Sequence, residues 1–184
     1  WLYCLPLIEM AVTRGRQLEP RPGGGGPVTN AFNHVRNLAG PNARAVTTPN
    51  VDTLYSTAWL DLQANPVTLT IPPSGDRYIS VALMDMFSNN FAVLGTRTLG
   101  NEGATFTITG PLAAAPLGAI RAPTPWVWVL ARTLVTGPDD LDAARAGVGD
   151  DAHAGAEPGV HGNPRRSEAD AFGGARGERH RPRV

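Results

Sequence analysis

The 184-residue chain contains no lysine, since all 16 of its basic residues are arginine. The absence of lysine excludes a Schiff-base lysine and the lysine of a Walker-type phosphate-binding loop. The single cysteine, Cys4, excludes an internal disulfide and any zinc site built on several cysteines. No apolar run approaches the roughly 18 residues of a membrane span, and a net charge of zero gives no footprint for nucleic acid. We therefore predict neither a nucleic-acid partner nor a membrane-spanning segment.

What the sequence does contain is enough apolar material for one core. Hydrophobic residues make up 42% of the chain and charged residues 17%, and domains commonly run to about 100–200 residues. Glycine and proline number 21 and 17, which is typical of a chain rich in turns. We predict one domain over residues 1–142.

The composition changes after Asp142. Of the 42 residues over 143–184, 27 are Ala, Gly, Arg or Pro, and no apolar period continues there. Such a segment cannot bury enough apolar area to offset its ordering entropy. We interpret it as a disordered tail or as a segment translated out of frame, and the start at Trp1 rather than Met as the mark of a fragment.

Apolar spacing predicts the local structure of residues 1–142. A spacing of three to four residues predicts a helix over about 1–14, and Asn30 is expected to cap a second short helix. From Asn50 the apolar period becomes two, which predicts strands over Leu54–Leu62, Val67–Ile71, Tyr78–Asp85, Phe91–Thr96, Phe106–Ile108, Ala119–Arg121 and Trp126–Val135. Another helix is expected after Gly137. This pattern favours a mainly β fold, an antiparallel sandwich or an open barrel.

Two polar residues are candidates for acid–base catalysis. His34 is the only histidine in residues 1–142, and Asp52 directly precedes the strand predicted from Leu54. Both residue types transfer protons in enzymes. The alternative is structural: His34 bonded to a backbone carbonyl, and Asp52 engaged in turn chemistry. No cluster of metal ligands and no nucleotide loop is present, so no metal and no cofactor is predicted.

Five further residues are candidates for ligand binding. Arg97 and Arg132 lie near or within predicted strands, where a guanidinium group recognises an anion or pairs with a carboxylate. Trp128 shares a strand face with Trp126, which favours either core packing or a platform for stacking a sugar. The complete predicted binding set is Asn50, Tyr55, Arg97, Trp128 and Arg132.

Several motifs occur in an order that resembles a known bacterial family, domain of unknown function 1254. They run over about 1–142 and include Tyr3-x-Leu5-Pro6-Leu7, Asn30-x-Phe32-x-His34-x-Arg36 and Pro49-Asn50-x-Asp52-Thr53-Leu54-Tyr55-Ser56-x-Ala58-Trp59-Leu60-Asp61-Leu62. The resemblance implies an immunoglobulin-like β-sandwich with helical decoration and an exported, periplasmic location. It also implies a second β domain, domain of unknown function 1214, in the same protein. It implies no reaction.

Two functional hypotheses follow. The first is a non-catalytic domain of an envelope-associated protein that binds a small-molecule ligand or a partner, or serves as a structural half. The second is a hydrolase or lyase, in which Asp52 and His34 transfer protons and Arg97 or Arg132 anchors an anionic substrate. Oligomeric state and ligand identity are not determined by the sequence.

Overall fold

A computed structural model of the chain describes residues 2–20, 27–43, 48–148 and 154–156. The four consecutive glycines within Arg21–Pro27 predict a flexible loop, and all of this segment except Pro27 lies outside the described residues. So does most of the tail predicted to be disordered or out of frame, of which only 143–148 and 154–156 are described.

Most regular structure in the described ranges is β-strand. In chain order the elements are α1 (Leu5–Gln17), β1 (Asn33–His34), β2 (Thr53–Asp61), β3 (Val67–Ile71), β4 (Ile79–Met84), β5 (Asn90–Gly95), α2 (Thr96–Leu99), β6 (Ala104–Thr109), β7 (Ile120–Arg121), β8 (Trp126–Leu134), α3 (Leu141–Val148) and β9 (Ala154–Ala156). Each of the seven predicted strands is present within one or two residues of its expected ends. The mainly β prediction is confirmed.

The strands form two sheets. One has five strands in the order β1-β2-β8-β4-β5, and every pair in it is antiparallel. The other has four strands in the order β7-β6-β3-β9, and its β6–β7 pair is parallel. The expectation of purely antiparallel pairing is therefore wrong at β7, a two-residue strand that follows the Gly110–Gly118 loop and runs beside β6 in the same direction.

Alternation along the strands builds one hydrophobic core. In β3 the residues Val67, Leu69 and Ile71 are buried, whereas the intervening threonines are partly exposed. The inward faces of the five-stranded sheet supply most of the other buried side chains, among them Leu60, Val81, Leu83, Val127 and Val129. Because both sheets contribute to this cluster, apolar burial joins them.

The short helix predicted after Asn30 is wrong. Asn30 has a left-handed backbone, with φ of 61°, and its side-chain carbonyl accepts a hydrogen bond from the backbone N–H of Asp61 at 2.8 Å. The backbone N–H groups of Asn30 and Val35 donate to carbonyls of β2, at 2.9 and 2.8 Å. The segment therefore follows the edge of the sheet, because its donors find partners in β2 rather than within a helical turn.

An ion pair fixes the end of β8 and the start of the following helix. Arg77 donates two hydrogen bonds of 2.6 Å to the Asp140 carboxylate and one of 2.7 Å to the carbonyl of Leu134. The Asp140 carboxylate also accepts the backbone N–H of Thr136 at 2.8 Å. The Arg77 hydrogen bonds, aided by the Thr136 N–H, hold the pKa of Asp140 well below its usual range.

We expect Asp140→Asn to lower the free energy of unfolding at neutral pH and to flatten its dependence on pH in acid. A carboxyl whose folded pKa is depressed stabilises the fold above its ordinary pKa of about 4, and this contribution is lost as the pH falls further. Urea unfolding at pH 7 and at several values below 4 measures both effects. Asp142→Asn is the matched control, since the Asp142 side chain is 91% exposed in its pair with Arg145; equal losses in the two variants would contradict the assignment.

Gly95 joins β5 to α2 with φ of +127°, and a Cβ there would collide with the backbone carbonyl of Ile79. We expect Gly95→Ala to lower the free energy of unfolding by about 3 kcal/mol, at the upper end of ordinary substitutions. Gly75→Ala provides the control, because Gly75 also has positive φ but open space around it; its backbone strain alone should cost about 1 kcal/mol. Chemical denaturation of the 184-residue chain measures the difference, and equal costs would refute the steric argument.

Candidate functional site

The outward face of the five-stranded sheet carries three cross-strand pairs from β2 and β8. In the antiparallel register Tyr55 lies opposite Arg132, Thr57 opposite Leu130, and Trp59 opposite Trp128. Alternate residues of a strand point to the same side of a sheet, so these six side chains form three rows on one face. We call them the arginine row, the leucine row and the tryptophan row.

These three rows form the floor of a cleft of about 1140 Å³. One wall comes from the C-terminal end of α1, including Arg16, Gln17 and Leu18, and another comes from the segment over 27–43. Most wall residues are apolar, and the lining set includes Leu18, Pro20, Pro27, Val28, Ala31, Val35, Leu38, Ala39 and Pro49. The size and the apolar lining are typical of a small-molecule site.

The tryptophan row forms one end of the floor. The rings of Trp59 and Trp128 are stacked, with centroids 5.9 Å apart and an interplanar angle of 12°. Trp59 is only 2% exposed, and its indole N–H donates to the side-chain carbonyl of Gln17 at 2.9 Å. Arg14 lies 4.1 Å above the ring of the neighbouring Trp126. Contacts with two indoles therefore attach the end of α1 to the sheet.

The arginine row opens the other end. The Arg132 side chain is exposed, and its guanidinium carbon lies 5.9 Å from the centroid of the Tyr55 ring. Within the described ranges no carboxylate pairs with Arg132, since the ion pairs there are Arg77–Asp140 and Asp142–Arg145. The Tyr55 hydroxyl accepts the backbone N–H of Asn50 at 2.9 Å. This row presents a cation at the edge of an apolar cleft.

Asn50 and Asp52 contribute through the backbone. The side chains of both are exposed, and neither is among the residues that line the cleft. The Asn50 N–H orients the Tyr55 hydroxyl, and the carbonyl of Asp52 accepts the N–H of Val135 at 2.8 Å. Asn50 thus lies beside the arginine row, and Asp52 lies at the start of β2.

His34 lies on the opposite side of the sheet from the cleft floor. It is paired with Ser56 in the β1–β2 register, and its Nδ1 lies 2.7 Å from the buried Ser56 hydroxyl. Its ring also stacks on Phe32, with centroids 5.6 Å apart. Ser56 follows Asp52 by four residues, which is about 13 Å along a strand. The structure therefore does not bring the two predicted acid–base residues together.

Arg97 lies away from the cleft. It is in α2, beyond β5, and its guanidinium carbon lies 5.6 Å from the centroid of the Tyr78 ring. Of the five predicted binding residues, the cleft therefore unites Tyr55, Trp128 and Arg132 and leaves out Asn50 and Arg97. The pairing of Arg97 with a tyrosine resembles that of Arg132, but it lines no comparable cavity within the described part of the chain.

Sequence reasoning missed the rest of the floor and the walls. Thr57 and Leu130 share the period-two phase of Tyr55 and Arg132, so the alternation alone marks them as neighbours. No such signal exists for Gln17 and Val35, because they reach the cleft from segments distant in the sequence. Among the described residues, no three His, Cys, Asp or Glu side chains lie close enough together to hold a metal ion.

Comparison with known proteins places the chain in a family. Residues 29–151, about two thirds of the chain, match the family described as "Protein of unknown function (DUF1254)". The chain belongs to the DUF1254 family. The matched range contains all six floor residues of the cleft, whereas α1 precedes it. No curated protein matches the chain.

A solved structure shows the same fold. The VPA0106 protein from Vibrio parahaemolyticus, determined by the Northeast Structural Genomics Consortium, aligns with 98% of this chain at a TM-score of 0.63 and 21% identity. The alignment covers 40% of the Vibrio chain. At this identity the similarity shows the fold alone. In the described ranges of the DUF1254 chain no helix is long and apolar enough to cross a membrane.

We expect Gln17→Leu to lower the free energy of unfolding by about 1–3 kcal/mol, because it leaves the buried indole N–H of Trp59 without an acceptor. Gln63→Leu is the control, since Gln63 is exposed and its side chain bonds only the Asp61 carboxylate, at 3.1 Å; its effect should stay within about 0.5 kcal/mol. Denaturant titrations of both variants, followed by tryptophan fluorescence, compare the two. A loss no larger in the Gln17 variant would show that α1 is not held through this bond.

Proposed function

We propose that this DUF1254 domain is a non-catalytic binding domain that takes up a small organic anion in the cleft between α1 and the outer sheet face. The observation that carries the proposal is the exposed guanidinium of Arg132, which has no carboxylate partner among the described residues and stands at the edge of a largely apolar cleft. In this arrangement Arg132 anchors the anionic group and the walls cover the body of the ligand.

The charges around the cleft support an anion. Among the described residues that line it, the charged ones are Arg16, Glu19 and Arg132, which sum to a positive charge. A guanidinium group binds a carboxylate through two parallel hydrogen bonds. The Tyr55 ring beside Arg132 adds a cation–π contact that limits the motion of the side chain. An anion bound here replaces water around a cation that is already held in place.

The catalytic alternative has less support. A hydrolase or lyase that used Asp52 and His34 would need both near one substrate, yet His34 contacts Ser56 on the core side and Asp52 lies at the start of β2. The small cavity that Ser56 lines holds about 30 Å³, which is the space of a single water. The geometry therefore favours binding over turnover.

The finer fold and setting are part of the same proposal. Two sheets that share one hydrophobic core are consistent with an immunoglobulin-like sandwich. The chain spans 40% of the Vibrio structure's length, which is compatible with a second domain in longer relatives. A binding domain of this kind suits an exported or envelope-associated protein, as the family resemblance implies.

Calorimetric titration of the 184-residue chain with octanoate and with the uncharged octan-1-ol tests the proposal. We expect Arg132→Gln to weaken octanoate binding by about ten- to a hundredfold, because a hydrogen bond to a charged group contributes about 1.5–3 kcal/mol. Binding of octan-1-ol should be unchanged in the same variant.

Arg97→Gln is the matched control, since Arg97 also stands over a tyrosine ring but lies outside the cleft. We expect this variant to bind octanoate as the unmodified chain does. Octanoate affinity that is the same in the Arg132 variant and the unmodified chain, or that falls equally in both variants, would overturn the proposal.

A further inference from the structure

The three rows of the cleft floor follow one another along the strand direction. This arrangement limits the shape of a ligand that can contact all of them. The arginine, leucine and tryptophan rows are separated by two residues each along β2 and β8. At about 3.3 Å per residue, the guanidinium end and the indole end lie about 13 Å apart. A ligand that contacts all three rows is therefore elongated and lies parallel to the strands.

Resting on the anion-binding function proposed above, we infer that the ligand is a linear aliphatic monocarboxylate, with its head at Arg132 and the end of its chain at Trp128. In the middle row Leu130 lies beside Thr57, and the aliphatic side chains of Val28, Val35 and Leu38 are among the residues that line the cleft. Aliphatic walls bind an alkyl chain by the area they remove from water, without directional contacts.

At the tryptophan end, Trp59 offers no ring face on which a sugar or another flat ring could stack. Trp59 is 2% exposed, with its N–H bonded to Gln17 and its ring against Trp128. One face of Trp128 is therefore covered by Trp59, and the face of Trp59 is not available. The stacked indoles present mostly apolar carbon to the end of a chain, although the buried indole N–H of Trp128 has no hydrogen-bond partner among the described residues.

The charges favour one anionic group rather than two. Among the described lining residues, Arg132 is the charged one at its end of the floor, whereas Arg16 and Glu19 both lie toward the end of α1, next to the bond between Gln17 and Trp59. Opposite charges offset each other at that second end. The second anion of a dicarboxylate would therefore find no net positive charge at that end.

Chain length is the first test. We titrate the 184-residue chain with butanoate, hexanoate, octanoate, decanoate, dodecanoate and decanedioate below their micelle concentrations. Each buried methylene should tighten binding about three- to fourfold. Because C–C bonds of about 1.5 Å zigzag, an extended chain advances about 1.3 Å per carbon, so the gain should level off near decanoate. Decanedioate should bind more weakly than decanoate.

A matched pair of variants locates the chain. Leu130→Asn places a polar group in the middle of the floor and should weaken decanoate binding about tenfold, with butanoate binding unchanged. Val93→Asn is the control, because Val93 lies on the same cross-strand row, through Ala82, but in β5 and outside the cleft. Its decanoate affinity should match that of the unmodified chain.

Fluorescence of the unmodified chain tests the orientation without any variant. Bromine quenches indole fluorescence on contact, so 10-bromodecanoate should quench more strongly at saturation than 2-bromodecanoate, whose bromine sits beside the carboxylate at Arg132. Equal quenching, or stronger quenching by the 2-bromo compound, would overturn the orientation.

The outcomes separate this inference from the proposed function. Affinity that depends on Arg132 but not on chain length would overturn the aliphatic ligand and leave the anion site standing. Decanedioate that binds more tightly than decanoate would overturn the monocarboxylate. Absence of binding by every member of the series would overturn both.

Discussion

The continuous antiparallel pairing of β2 with β8 is the constraint on which the rest of the structure depends. Nine consecutive residues of each strand are in register, from Thr53 opposite Leu134 to Asp61 opposite Trp126. Side chains alternate between faces, so a slip of one residue would move the whole apolar set from the core to the solvent. The buried residues of these two inner strands therefore fix the register. The cleft floor is the other consequence of that same register.

The core and the floor of the candidate site thus lie on the two opposite faces of the β2–β8 pair. Leu60 and Val127 lie opposite each other and point inward, where they are fully buried. One position along, Trp59 and Trp128 face each other on the outside. The free energy of burying the inward set holds the outward set in place, so the cleft needs no dedicated network to position its floor. Arg77 adds to this by tying the end of β8 to Asp140.

The alternation of apolar residues was sufficient to predict every strand from β2 to β8, because burial on one face imposes a period that the sequence must carry. The prediction of a helix after Asn30 failed. The apolar residues there are spaced three apart, which fits a helix, yet backbone N–H groups of this segment donate to β2. The spacing of apolar residues in a short segment does not show whether its N–H groups will find acceptors far away in the chain. The same limit explains the site: Tyr55, Trp128 and Arg132 share one face by their parity, whereas the approach of α1 through Gln17 depends on contacts between residues 42 positions apart.

The face of the sheet on which a side chain lies also separates residues that their chemistry alone would group together. His34 and Asp52 are both plausible proton carriers, but His34 pairs across from Ser56 and so belongs to the core side. Arg132 lies four residues along β8 from Trp128 and so belongs to the cleft. The floor falls within the range that matches DUF1254, whereas the Gln17 wall precedes that range. In the proposed function, the contact with the anion therefore lies within the matched range, whereas the residue that holds α1 over the tryptophan row lies outside it.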